Sequence, residues 1–354
     1  MINYRYKRQS ILKEVGACGQ QKLLDTKVLI IGCGGLGGEV AVHLAAAGVG
    51  EIHLIDFDVV DETNLHRQVF FNENDIRKSK ADTLKKYISN QNSKVKIIAL
   101  QERITKLNVV GFISKVDYVF DCTDDLLTKY LINDACVLNN KLLIYGSLFK
   151  FEGHVSVFNH HVKNANRNCN LRDVFPEIPK ENIPSCSEVG TLNSIVAIIA
   201  NMQVNELYKL VLGIGKPLVN QLLIFNSLDN EILKLQLKVN EELNFKKLWK
   251  TNTYVKETCE NDKDLEISLD ELKAGNYKII SLVENLDFDV FLYTSLKEIK
   301  TGNLKLEVGN YCIVCEKGIS SLKAVKILKK QFPLAVFKSL KSGLINFHKG
   351  LLNL

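Results

Sequence analysis

Val28-Leu-Ile-Ile-Gly-Cys-Gly-Gly-Leu-Gly-Gly38 decides the fold. Val28 to Ile31 are four consecutive apolar residues, the pattern of a strand covered on both faces. Gly32, Gly34 and Gly37 then give G-x-G-x-x-G, with Gly35 inside the same turn. Without side chains the backbone can bend sharply and approach a phosphate closely. Residues 36–47 read as a helix whose N-terminus offers unpaired N–H groups and a positive dipole end. The next apolar run ends in Leu54-Ile-Asp-Phe-Asp58. Asp56 falls about 20 residues past the glycines, where a carboxylate accepts hydrogen bonds from ribose hydroxyls. Strand, turn, helix, strand and acid in this order predict a nucleotide site; on its own the pattern suits a dehydrogenase as well as an ATP-using enzyme.

Working outward, strand signals lie at 28–31, 51–56, 95–100, 117–121 and 142–145, with helical stretches at 36–47, 78–90 and 126–138. This alternation predicts an α/β fold, a doubly wound and mostly parallel sheet. Residues 153–158 alternate like a half-buried antiparallel strand. Residues 159–187, with prolines at 176, 179 and 184, read as a long loop ending at Cys186. An apolar helix is expected from 191 to 212, closing at Gly213, in the core or at a subunit interface. A strand pair is expected near 221–226 and 231–237. The resulting domains are 1–240, a polar linker over 241–265, and a smaller α/β unit over 266–354. The small unit shows a capped helix at 267–272, strands at 278–282 and 311–315, and a helix at 320–330.

A chain of 354 residues exceeds one ordinary core. Its 46% hydrophobic and 24% charged residues suit a soluble globular protein. The net charge of +6 comes from 46 basic and 40 acidic residues, well mixed, which argues against a nucleic-acid groove. Arginine occurs only at 5, 8, 67, 77, 103, 167 and 172, on the side of the chain that carries the glycine motif. Its forked guanidinium suits phosphate oxygens. The nine cysteines are odd in number and scattered, the first ten residues have no apolar core, and no run reads as the roughly 20 residues that cross a bilayer. The expectation is a cytoplasmic protein with reduced thiols and no membrane or nucleic-acid partner. With no two C-x-x-C pairs, a four-cysteine zinc site is not expected.

Asp58, Asn64-Leu-His-Arg-Gln68, Lys80 and Asp121-Cys-Thr-Asp-Asp125 follow the glycine motif. Strand carboxyl ends converge on one crevice in a doubly wound sheet, so Asp56 and Asp124 should face it, with Arg67 and Lys80 on adjoining loops. Two cations and a spare carboxylate suit ATP with Mg2+: the cations spread phosphate charge and Asp124 takes the metal. An NAD-dependent oxidoreductase would instead want an acid or base beside the nicotinamide. A non-catalytic docking module would need none of these charges.

Arg5-Tyr-Lys-Arg-Gln9, the glycine run, Asp56-Phe-Asp58, Asn64 to Gln68, Lys80, Asp121 to Asp124, and Cys186 before an apolar helix together resemble the MoeB/ThiF family, bacterial relatives of ubiquitin-activating enzymes. The resemblance covers about residues 1–237. It implies a Rossmann-like ThiF fold and ATP-dependent adenylation of the C-terminal glycine of a small MoaD- or ThiS-like sulfur carrier, in molybdopterin or thiamin biosynthesis. It also implies a homodimer in which Arg8 reaches the partner's ATP site. Gly32, Gly34, Gly35 and Gly37 would cradle phosphates. Asp56, Asp58 and Asn64 would hold the nucleoside. Arg67, Lys80 and Arg8 would stabilise developing charge. Cys186 matches the family's crossover-loop cysteine, which can form a thioester or acyl disulfide. Many members bind zinc through two C-x-x-C pairs. Here Asn170 and Asp173 occupy the first pair's positions and 240–260 holds no second pair, so no zinc is expected.

Cys315-Glu-Lys-Gly-Ile-Ser-Ser321 resembles a rhodanese active-site loop, which implies that Cys315 carries sulfur, with a cysteine desulfurase as a possible donor. Backbone N–H groups of a loop curling onto a helix would stabilise an anionic persulfide. The aspartate-x-arginine that usually follows the second strand reads Ser281-Leu-Val283, and this unit has no arginine.

Overall fold

The four apolar residues that open the glycine motif form the interior of β1 (Lys27–Ile31), fully covered on both faces. The computed structural model describes residues 4–160, 167–178, 190–252, 254, 265–284, 286, 289–316, 318–341 and 343–344. It divides into two units, Met1–Tyr254 and Val255–Leu354.

In the first unit β1 is joined by β2 (Glu51–Ile55), β3 (Lys96–Leu100), β4 (Tyr118–Asp121), β5 (Leu142–Phe149), β6 (Glu152–Phe158), β7 (Gln221–Asn226) and β8 (Glu231–Gln236). Their order across the sheet is β3-β2-β1-β4-β5-β6-β7-β8. The first five in that order pair in parallel and the last three add antiparallel. The order reverses between β1 and β4, and a crevice opens beyond the strand ends at that reversal.

The helices of this unit are α1 (Lys7–Ser10), α2 (Gly16–Asp25), α3 (Gly35–Ala47), α4 (Lys80–Gln91), α5 (Val109–Ile113), α6 (Leu126–Leu138), α7 (Leu171–Val174), α8 (Asn193–Leu212) and α9 (Phe245–Thr251). Alternate residues of β1 point to opposite faces. Val28 and Ile30 join one core with Val40, Leu44, Leu84 and Ile199, from α3, α4 and α8. Leu29 and Ile31 join another with Val109, Leu131 and Ile132, from α5 and α6. Besides that of α7, three helix starts are set by side chains. Ser79 accepts from the Asp82 N–H, Asp125 from the Thr128 N–H, and Asn244 from the Lys247 N–H.

The second unit is a five-stranded, all-parallel sheet in the order β11-β10-β12-β13-β9. Its strands are β9 (Glu266–Ile267), β10 (Lys278–Ser281), β11 (Leu292–Tyr293), β12 (Asn310–Val314) and β13 (Val336–Leu340); its helices are α10 (Leu269–Ala274), α11 (Leu296–Thr301) and α12 (Ile319–Gln331).

The structure differs from the sequence reading in several places. The stretch expected as a linker begins with α9, because Asn244 caps it and it packs on α6. The long loop contains α7, closed by a reciprocal cap between Asn170 and Asp173. The expected helix at 267–272 is a short strand followed by α10, since Ser268 and Glu271 form a capping box that starts the helix after Ile267. α8 is the one helix among the described residues long and apolar enough to cross a membrane. It packs against α3, β5 and β6, and buries Gln203 and Glu206.

Candidate nucleotide site

The turn after β1 is possible only with glycine at two points. Gly32 has φ +91°, and a Cβ there would lie 2.7 Å from the Cys122 carbonyl oxygen at the end of β4. A Cβ on Gly37 would lie 1.7 Å from the Gly32 carbonyl oxygen. Gly34 is different: within 4 Å its Cβ would meet only Gln68 Nε2, at 3.3 Å. Gly34 therefore presents bare backbone, while Gly35 opens α3 against Val196 of α8. No side chain caps α3. Its first N–H groups are thus available to an anion. Gln68 is buried beside this loop and its Oε1 has no hydrogen-bond partner among the described residues.

Asp56 stands one residue past β2 and is tied to the glycine turn. Its Oδ2 accepts from the Cys33 N–H at 2.7 Å and its Oδ1 from the Asp58 N–H at 2.8 Å. One lone pair on each oxygen remains for a ligand hydroxyl. Burial pushes the Asp56 carboxyl above the usual aspartate range, against the pull of Lys80 and the two backbone donors. Burial, reinforced by Asp56, pushes the Cys33 thiol well up, so it stays protonated. Lys80, the first residue of α4, is buried, and its Nζ lies 3.2 Å from Asp58 Oδ2.

Asn64 and Arg67 belong to a turn whose backbone lies on the start of α3: the Arg67 carbonyl oxygen would be 3.4 Å from a Cβ on Gly35. The Arg67 guanidinium donates to the Thr63 carbonyl at 3.1 Å and meets His66 Nε2 at 2.8 Å. Asn64 Nδ2 donates to Thr63 Oγ1 at 3.3 Å. Asp124 lies in the turn after β4 and is exposed. The loops bearing Gly34, Asp56, Arg67, Lys80 and Asp124 thus follow or flank the carboxyl ends of β1, β2 and β4. Arg8 is exposed on α1. Cys186 lies outside the described residues.

Two features next to the site escaped the sequence reading. Asp121, at the end of β4, and Lys129 of α6 form a buried ion pair at 3.2 Å. Burial alone would favour the neutral amine, but Asp121 and its neighbours outweigh it and raise the Lys129 pKa, so the ammonium persists. Gln203 of α8 donates to the Asp121 and Ile144 carbonyls at 3.2 and 3.3 Å, joining the end of β4 to the interior of β5. The Asp125–Lys129 spacing of one helical turn suggests a surface pair instead; the aspartate four residues further back is the partner that the fold brings in.

In the second unit Cys315 follows β12 directly and is buried. The Ser321 N–H, in the first turn of α12, donates to its Sγ at 3.3 Å, and Ser321 Oγ lies 3.2 Å from it. Ser321 Oγ is also 2.8 Å from Ser339 Oγ of β13 and 3.1 Å from the Gly318 carbonyl. Ser281, at the position of the missing aspartate, donates to the Val283 carbonyl and accepts from its N–H.

A model of the ThiF family matches residues 6–244. A probable adenylyltransferase/sulfurtransferase MoeZ of Mycobacterium tuberculosis is 40% identical over 226 residues, 64% of this chain and 57% of that protein. The chain thus spans little more than half the length of that relative. The sulfur carrier protein adenylyltransferase of Thermus thermophilus is 37% identical over 237 residues, 67% of this chain and 88% of that protein. An adenylyltransferase and sulfurtransferase MOCS3 of Caenorhabditis briggsae is 28% identical and covers 96% of this chain and 92% of its own length. Among solved structures, E. coli MccB with ATP superposes with a TM-score of 0.56 at 23% identity, over 69% of this chain and 74% of that one. MccB with N-formylated MccA gives 0.59 at 24%, over 69% and 75%. These two likenesses are of fold.

Proposed function

Because the chain belongs to the ThiF family, we propose that it adenylates the C-terminal glycine of a small MoaD- or ThiS-like sulfur carrier and that its second unit delivers sulfur to the product. The observation that carries this reading is the tie between Asp56 and the glycine turn, beside the pair that buried Lys80 makes with half-exposed Asp58. It supplies a phosphate cradle, a ribose acceptor and a cation at one strand edge.

A carrier carboxylate is a weak nucleophile and ATP is a polyanion, so positioning and charge neutralisation are what the protein must add. In this reading Gly32, Gly34, Gly35 and Gly37 shape the loop whose N–H groups take phosphate oxygens. Asp56, Asp58 and Asn64 hold the nucleoside. The carrier carboxylate oxygen attacks the α-phosphorus and the bond to pyrophosphate breaks. Arg67 and Lys80, with Arg8 from the partner of a homodimer, take up the charge that develops. Arg67 must release Thr63 and His66 to do so.

Magnesium binds through one or two carboxylates plus phosphate oxygens. Asp124, exposed in the turn after β4, fits such a role, and the ion would neutralise charge on the leaving pyrophosphate. Among the described residues no three His, Cys, Asp or Glu side chains are grouped to hold a metal, consistent with a metal that arrives with its nucleotide.

Cys315 would carry a persulfide filled by a desulfurase-type donor. Its outer sulfur attacks the acyl carbon and expels AMP, leaving the carrier joined to Cys315 by an acyl disulfide. A thiol that attacks the Cys315 sulfur releases the carrier thiocarboxylate and itself ends in a disulfide with Cys315. The relative that covers nearly the whole chain is named for both activities, which supports joining them. Cys186 is proposed as a second thiol acting on the acyl group. The seven described cysteines are all free, in keeping with a cytoplasmic protein.

The test is carrier-dependent exchange of radiolabelled pyrophosphate into ATP, with MoaD- and ThiS-like carriers assayed separately. Exchange with one carrier identifies the pathway; no exchange with either, while ATP still binds, turns the reading towards a docking module.

A further inference from the structure

We propose that Lys129 and Thr123 act, through Asp121, as positioning residues for Asp124, holding that carboxylate where the metal of a bound metal–nucleotide meets it. The inference rests on the adenylation reading above. The turn after β4 holds three carboxylates, and two of them are used inside it. Asp121 Oδ1 accepts from the Thr123 N–H at 3.0 Å, from Thr123 Oγ1 at 2.7 Å and from Lys129 Nζ at 3.2 Å. Asp125 Oδ2 accepts from the Thr128 N–H at 2.9 Å and from its hydroxyl at 2.6 Å, capping α6. Asp124 stands between these two locks, exposed, and has no hydrogen bond or ion pair with any described residue.

Lys129 is itself held on every side. Its Nζ donates to the Gly146 carbonyl at 2.8 Å and lies 5.0 Å from the centre of the Tyr145 ring. Asp121 is wholly buried, and its Oδ2 has no partner among the described residues. Such a pair is a poor way to gain stability. Desolvating two charges offsets most of their attraction, and apolar side chains of similar volume often do as well. What the pair does supply is a fixed direction for the Thr123 backbone, one bond from Asp124.

The experiment is a magnesium titration for the wild type, Lys129→Arg, Lys129→Met and Thr123→Val. It is read both as pyrophosphate exchange at saturating ATP and carrier and, without turnover, as the magnesium dependence of the affinity for a non-hydrolysable ATP analogue in isothermal titration. Thr123→Val should raise the magnesium concentration at half-activity about threefold, the scale of one neutral hydrogen bond. Lys129→Met should raise it about tenfold, the scale of a charge-assisted one. Lys129→Arg should restore most of the wild-type value, and all variants should approach wild-type exchange at high magnesium. Should Lys129→Met fail to fold, half-buried Thr123 keeps the question answerable. Unmoved half-activity in Thr123→Val, with wild-type exchange intact, overturns the positioning role and leaves the adenylation reading standing. A wild type that never exchanges overturns both.

Discussion

The Arg172 guanidinium donates three hydrogen bonds to the Asp134 carboxylate, at 2.7, 2.8 and 3.0 Å, with both side chains shut off from solvent. Tyr254 adds a fourth hydrogen bond to the same carboxylate at 2.6 Å and Asn133 Nδ2 a fifth at 3.0 Å, and the Pro176 carbonyl accepts from the far side of the guanidinium at 3.0 Å. Burial, with Asp134 next in effect, pushes the Tyr254 hydroxyl well up, so it remains a donor. Beside this cluster Arg167 pairs with Asp173, and Asn240 is bonded through its N–H to Asp173 and through its carbonyl to Arg167. Residues 167–176 and 240–252, with Tyr254, are thus fastened to α6 and to each other by side chains. Asn170 and Asp173 themselves form the reciprocal cap that opens α7.

Arg172→Leu leaves a buried carboxylate with only Tyr254 and its immediate neighbours, a loss of about 3–5 kcal/mol for a broken buried pair. Tyr254→Phe removes one hydrogen bond and should cost about 1–2 kcal/mol. Chemical denaturation followed by far-ultraviolet circular dichroism would rank them. Equal, negligible losses would mean that the cluster does not fasten these segments.

Asp56 predicts an acid limb in nucleotide binding. Its raised pKa means that the neutral acid accumulates at a higher pH than for an ordinary aspartate. The neutral acid holds a proton where the Cys33 and Asp58 N–H groups and a ribose hydroxyl need an acceptor. The KM for ATP should therefore rise as pH falls, beginning above the usual aspartate range of about 4. Asp56→Asn should weaken binding at neutral pH and flatten the profile. A wild-type KM that stays constant down to that range would rule out the ribose role.

Why some of this was legible and some was not follows from length scale. Val28 to Ile31 and the glycines after them carry a period and a spacing that depend only on neighbours along the chain, so the sheet and its crevice could be read directly. β9 and β11 have two residues each, too few to show any period. α9 places Phe245, Leu248 and Trp249 among lysines, and the polar surroundings mask its apolar face. Lys129 and Ser339 were hidden for another reason. Their partners are set by how β4 meets α6 and how β13 meets α12, and residue type gives no hint of that.

The glycines of the turn should separate stability from binding. Gly37→Ala puts a methyl carbon 1.7 Å from the Gly32 carbonyl, a contact that only backbone movement relieves. It should lower the melting temperature sharply and abolish exchange. Gly34→Ala meets only the end of Gln68, so the fold should survive with its melting temperature nearly unchanged. The added methyl stands where phosphate would approach, and the KM for ATP should rise about tenfold or more, a cost on the scale of overpacking. Isothermal titration with a non-hydrolysable ATP analogue reads the second effect directly; normal affinity in Gly34→Ala would move the phosphates elsewhere.

Ser339 supplies the sharpest test of the second unit. Ser321 has one hydroxyl proton and three neighbours at hydrogen-bond distance: Cys315 Sγ, the Gly318 carbonyl and Ser339 Oγ. When sulfur is anionic, that proton must turn to Sγ, and Ser339 can then donate to the oxygen of Ser321. When sulfur is a thiol, the direction can reverse. Ser339→Ala removes the donor behind Ser321 and should slow alkylation of Cys315 by iodoacetamide at neutral pH about three- to tenfold, the scale of one hydrogen bond to an ion. Ser321→Ala, which removes the contact itself, should slow it further. Peptide mass spectrometry separates Cys315 from exposed Cys18, whose rate should not change and so serves as the internal reference. Equal Cys315 rates in wild type and Ser339→Ala would show that the β13 hydroxyl plays no part in holding the anion.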